Sequence, residues 1–100
     1  MSLNTENEYK EIFYAEAFEQ VSEINRILTV LENDFGSRES VKSLFRITHT
    51  LKGNATGMGY EQIAELAHVL EDFFASVRDA RIILNEEIFG VVFKAADALM

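Results

Sequence analysis

Proline is absent from the chain, and its five glycines stand at positions 36, 53, 57, 59 and 90. With no residue lacking a backbone donor, nothing forces a break in a helical hydrogen-bond ladder, and interruptions are expected where glycines cluster. A chain punctuated in this way is predicted to be helical.

Apolar spacing divides it into four segments. From about Glu8 to Asp34, Tyr14, Ala17, Val21, Ile24, Leu28 and Leu31 advance by threes and fours, with Phe13, Phe18 and Ile27 widening the stripe. Phe35-Gly36 is expected to close this helix, glycine taking the left-handed conformation. Ser37 then caps a second helix running to roughly Ala55, with Val41, Leu44, Thr48, Leu51 and Ala55 inward. The glycines of Thr56-Gly57-Met58-Gly59 mark the clearest break. A third helix from about Tyr60 to Val77 presents Ile63, Leu66, Leu70, Phe73 and Val77. After a short charged connection, a fourth starts behind Asn85 and uses Ile88, Val91, Val92, Ala95 and Leu99.

Four amphipathic helices with short connections predict an all-α, antiparallel up-and-down four-helix bundle over residues 8–100. Residues 1–7 are expected to be a leader and flexible amino terminus, with Met1-Ser2-Leu3 reading as appended sequence. The final Ala98-Leu99-Met100 is still in a helical pattern without a cap, which predicts truncation before a further helix.

Composition excludes several classes. Nine Lys and Arg against seventeen Asp and Glu give a formal charge of −8, which repels nucleic acid and anionic lipid. No apolar run approaches the roughly 20 residues needed to span a bilayer, and no secretory signal is present, so a cytoplasmic module without direct membrane insertion is expected. The absence of cysteine removes disulfides, thiol nucleophiles and thiolate metal sites. No phosphate-cradling glycine-rich loop followed by Lys-Ser or Lys-Thr occurs, which argues against ATP hydrolysis by this segment alone.

Chemistry therefore concentrates on two histidines. His49 precedes Lys52 by three residues and Gly53 by four, placing both within about 60° of it around a helix. An ammonium nearby suits phosphoryl oxygens, and a residue without a side chain leaves room for another protein's active site. His68 precedes Glu71 by three residues, on one face of helix three. If helices two and three are antiparallel neighbours, Glu71 can accept the proton of one His49 ring nitrogen and leave the other as nucleophile. Each residue also has a plain reading: a surface histidine, a solubilising lysine, a glycine that eases helix packing or begins termination. His49, His68 and Glu71 could alternatively offer three zinc ligands, but nothing like His-Glu-x-x-His accompanies them.

The stretch Phe45-Arg46-Ile47-Thr48-His49-Thr50-Leu51-Lys52-Gly53-Asn54-Ala55, continued by Gly59-Tyr60 and Leu66-Ala67-His68-Val69-Leu70-Glu71, resembles the histidine phosphotransfer family. The likeness is greatest to the amino-terminal phosphotransfer domain of bacterial chemotaxis-type histidine kinases. His-x-x-Lys-Gly joined at this distance to His-x-x-Glu is specific, and it covers the middle third of the chain. The resemblance implies that His49 is the phosphoacceptor, Glu71 its hydrogen-bond partner, Lys52 and His68 supporting polar residues, and Gly53 the small residue beside the acceptor. It also implies a histidine kinase catalytic domain as donor and the aspartate of a response-regulator receiver as acceptor. ATP and Mg are expected on those partners, with no cofactor or metal in this domain and no independent catalytic activity. The different-class alternative is a non-phosphorylated helical docking module for a signalling partner. One departure is local: Arg78-Asp79-Ala80 lacks the glycine common after the third helix in this family.

Overall fold

The computed structural model describes residues 2–99, and the side chains of residues 5–99. Met1, counted in the leader, and Met100, counted in the closing helical pattern, lie outside the described residues. Four helices form: α1 (Ser2–Asn33), α2 (Arg38–Met58), α3 (Glu61–Arg78) and α4 (Glu86–Asp97). No strand occurs among the described residues. α1 packs on α2 and α4, and α3 packs on the same two, so sequence neighbours are neighbours in space and the bundle is up-and-down. None of these helices is long and apolar enough to cross a membrane.

The core is built from Ile24, Leu28 and Leu31 of α1, Leu44 and Leu51 of α2, and Leu70 and Phe74 of α3, all fully buried. Burying each such side chain stabilises the fold by about 1.5–3 kcal/mol. Phe89, Val92 and Ala96 contribute the α4 face. On α2 the inward set is the one that periodicity predicts, including Thr48, whose hydroxyl donates to the Leu44 carbonyl at 2.8 Å. That bond makes a buried hydroxyl tolerable.

Elsewhere the faces are turned. On α3 the innermost residues are Ala67, Leu70, Glu71 and Phe74, with Ile63, Leu66, Phe73 and Val77 half-buried beside them. Small Ala67 lets α2 approach, and Glu71 is drawn inward by its bonding partners. On α4, Val91 is exposed. On α1, Phe13 is buried while Tyr14 and Phe18 are exposed. Tyr14 instead stacks on Tyr60 at 6.0 Å, and Phe13 meets the same ring edge-on at 5.0 Å, tying α1 to the start of α3.

Helix ends also differ from expectation. α1 begins at Ser2, earlier than the predicted Glu8; residues 5–12 are all exposed, so no apolar stripe could announce them. At 1.5 Å per residue a 32-residue helix is about 48 Å long, which accounts for the 50 Å long axis of the molecule. Gly36 does not close α1 with a left-handed residue; Gly59 is the one glycine with positive φ among the described residues. The Asp34 carboxylate makes that turn by accepting the Gly36 N–H at 3.0 Å. Ser37 caps α2, accepting the Ser40 N–H at 3.3 Å.

α2 does not break at Thr56-Gly57. It continues to Met58 and closes at Gly59, where φ is 76°. Tyr60 N–H reaches the Ala55 carbonyl at 2.9 Å and Gly59 N–H the Thr56 carbonyl at 3.1 Å, a Schellman closure. α3 ends identically without glycine: Arg81 N–H bonds the Ser76 carbonyl at 2.8 Å and Ala80 N–H the Val77 carbonyl at 3.1 Å. Ala80 therefore carries the left-handed residue, with φ 61°, a conformation costing a non-glycine residue about 1 kcal/mol. Asn85 caps α4, its side-chain oxygen accepting the Ile88 N–H at 2.8 Å.

Candidate functional site

Because Thr48 and Leu51 point into the core, His49, about 100° around the helix from Thr48 and about 160° from Leu51, is carried to the outer edge of the α2–α3 seam. Its side chain is 64% exposed, whereas Glu71, opposite it on α3, is 8% exposed. One Glu71 oxygen, Oε2, is bonded to His49 Nδ1. The other, Oε1, accepts from Lys52 Nζ at 2.7 Å. A single buried carboxylate thus joins two side chains that lie three residues apart on the neighbouring helix.

Burial pushes the Glu71 carboxyl upward, but donation from Lys52 and from His49 together outweighs it and holds the group below the usual carboxylate range. Glu71 is therefore ionised near neutrality and can act only as an acceptor, so the hydrogen of a neutral His49 ring must sit on Nδ1. Nε2 keeps its lone pair and has no hydrogen-bond partner among the described residues. The ring is further flanked by Phe45, one turn back on α2, with centroids 6.2 Å apart and planes at 19°.

Gly53 lies one turn beyond His49 on the exposed face. A Cβ built there meets no atom within 4 Å, so close helix packing does not require this glycine. Nor does it begin termination, since α2 runs on to Met58. The space it leaves opens beside His49.

His68 is not brought into this group. Its Nε2 faces Asp72 at 3.4 Å on the solvent side of α3. Three positions of helical spacing separate His68 from Glu71 by about 60°, enough for one to face solvent and the other α2. The carboxylate and imidazole atoms that lie together are those of His68, Glu71 and Asp72, within 4.8 Å, and not those of His49, His68 and Glu71. Both Glu71 oxygens are already engaged there. Sequence reasoning did not single out Asp72 or the Phe45 ring; four-residue spacing to His68 and His49 was the available signal.

The chain is similar to known proteins along most of its length. The family model described as "Hpt domain" matches residues 8–99. The chain is 34% identical over 93 residues to the chemotaxis protein CheA of Halobacterium salinarum, covering 93% of this chain and 14% of that protein. It is 36% identical over 93 residues to CheA of Rhizobium meliloti, covering 93% of this chain and 12% of that one. It therefore spans only a small part of these relatives' length. Among solved structures, the CheA phosphotransferase domain from Thermotoga maritima superposes with a TM-score of 0.86 at 32% identity, covering 92% of this chain and 88% of that one.

Proposed function

This chain belongs to the Hpt domain family, whose place is in two-component phosphorelay, and on that ground we propose that His49 is the residue that receives and passes on the phosphoryl group. The observation that carries this reading is the division of the imidazole: Nδ1 engaged by a buried, ionised Glu71, Nε2 turned to solvent. A nucleophile needs its lone pair accessible and its ring held still, and this arrangement supplies both.

In the proposed reaction, Nε2 attacks the γ-phosphorus of ATP bound by a histidine kinase catalytic domain. The N–P bond forms as the bond to the ADP oxygen breaks. A receiver aspartate later attacks phosphorus and the N–P bond breaks. Lys52, held at the site by Glu71, lies on the His49 side of α2 and provides a positive charge for the phosphoryl oxygens. His68 contributes to the polar surface next to the site through Asp72. ATP and Mg²⁺ belong to the partner domains, where the transfer chemistry is assembled. The parent is a chemotaxis-type histidine kinase working in the cytoplasm, on the strength of the relatives this segment matches.

Replacing His49 with Gln tests the assignment. Incubation with the parent's kinase domain and ATP, followed by mass spectrometry, should show one acid-labile phosphoryl group on the wild-type chain and none on His49→Gln, with identical helical circular dichroism. Equal labelling of the two chains would refute it.

A further inference from the structure

A cationic ridge leads to His49 and has no part in the reading above. Arg38, Lys42 and Arg46 follow one another at four-residue intervals along α2, all exposed, with His49 three residues further on. The line runs about 12 Å from Arg38 to Arg46 and about 4.5 Å more to His49. Arg78 of α3 joins it, its guanidinium 4.5 Å from the centre of the Phe45 ring. With Glu39 and Phe45 these four cations line a groove of about 690 Å³.

Intramolecular pairing does not account for the ridge. Arg78 is paired with Asp79 at 3.1 Å, but among the described residues no carboxylate lies within ion-pairing distance of Arg38, Lys42 or Arg46. Arg46 bonds only the Ser43 hydroxyl, at 3.3 Å. Helix stability does not account for it either. Like charges four residues apart repel, and Arg38 occupies the first turn of α2, the positive end of the helix dipole. Three unpaired cations at this spacing weaken the helix that bears them, in a chain of net charge −8.

We propose that this ridge is the docking surface for the carboxylate-rich face of the phosphoryl-accepting protein, an inference that rests on the reading of His49 as phosphoacceptor. An aspartate that accepts phosphate with the help of Mg²⁺ needs further oxygen ligands, chiefly carboxylates, to hold the ion, so its active face is anionic. A chain of charge −8 repels such a face unless its own docking surface is locally positive. The ridge supplies that local charge and ends at the transferring atom. A nucleotide-bearing donor fits less well, since the ridge continues beyond the reach of a triphosphate whose γ-phosphorus must lie at His49 Nε2.

The test uses the His49→Gln chain, which cannot be labelled, and the same chain carrying Arg38→Glu, Lys42→Glu and Arg46→Glu. Each is titrated calorimetrically with Mg²⁺-loaded receiver domains of the source organism at low and high salt. Loss of about tenfold or more in affinity in the triple variant, with a flatter salt dependence and no fall in melting temperature, is expected. Should the triple variant melt earlier, Arg38→Glu and Lys42→Glu singly carry the same reading. Unchanged affinity and salt dependence overturn the proposal. So does a triple change, on the wild-type His49 background, that slows labelling by kinase domain and ATP while receiver affinity is unaltered. Ridge-dependent receiver binding by a chain that never takes label would leave docking standing and remove the phosphoacceptor reading instead; absence of binding to any receiver removes docking whatever the labelling shows.

Discussion

Gly53→Ala should make the domain more stable and less active. Gly53 is an exposed position inside α2, five residues before the helix ends, and a Cβ there meets nothing within 4 Å. Glycine in such a position is about 0.8–1.0 kcal/mol less favourable than alanine, and no steric cost offsets the gain here. Unfolding entropy of about 2.1 cal/mol/K per residue, over 100 residues, converts about 1 kcal/mol into a rise of about 4–5 °C in melting temperature. Thermal and urea unfolding followed by far-ultraviolet circular dichroism would measure it, the urea midpoint rising with an unchanged slope. In the same preparation, labelling of His49 by the kinase domain should slow by about tenfold, because the added methyl stands one turn from Nε2 and shifts the approach of the donor. A melting temperature that falls or stays constant would refute the account of α2 as open at this position. A stabilised variant with wild-type labelling would show that the missing side chain does not serve access.

Two further outcomes follow from the backbone and from the buried carboxylate. Ala80→Gly should raise stability by about 0.5–1 kcal/mol, because the left-handed residue that closes α3 would no longer carry a Cβ; an unchanged or lowered melting temperature would contradict it. Glu71 has a folded-state pKa below its unfolded value of about 4.3, so the stability it contributes is complete above that pH and is lost as pH falls through the folded pKa. At neutral pH Glu71→Gln should cost about 1 kcal/mol, kept small by the solvent exposure of His49 and Lys52. The stability difference between wild type and variant should shrink as the pH falls through the acid range in which Glu71 is protonated; a difference independent of pH down to acid unfolding would rule out the ionised bridge.

The bundle was legible because most of its signals are local. Proline's absence, the three-and-four spacing of Ile24, Leu28 and Leu31, and caps at Ser37 and Asn85 each act within one or two turns. What was missed depends on neighbours in space. Tyr14 reads as core by spacing, yet it is exposed and stacks on Tyr60, and α3 turns Ala67, Leu70, Glu71 and Phe74 innermost, where Glu71 meets Lys52 of α2. Gly57 looked like a break, but its hydrogen-bond ladder is continuous and only Gly59 needs the left-handed conformation. At the site, the spacing of His49 and Lys52 could be read directly, while their joint use of one carboxylate required the α2–α3 register. His68 failed to join them because a three-residue offset leaves about 60° of freedom, and that angle separates a solvent-facing side chain from a buried one.

The bond between Glu71 and His49 Nδ1 has a consequence for the return step. On the reading proposed for His49, the group that departs when the N–P bond breaks is the imidazole itself, and its quality as a leaving group depends on the other ring nitrogen. With the hydrogen retained on Nδ1 by Glu71, the ring departs as neutral imidazole; without it, the ring would have to leave as an imidazolate anion, a far worse leaving group. The contact that aims the nucleophile on entry therefore also keeps the phosphoramidate bond ready to break on exit, so the domain works in both directions with one unchanged arrangement of side chains.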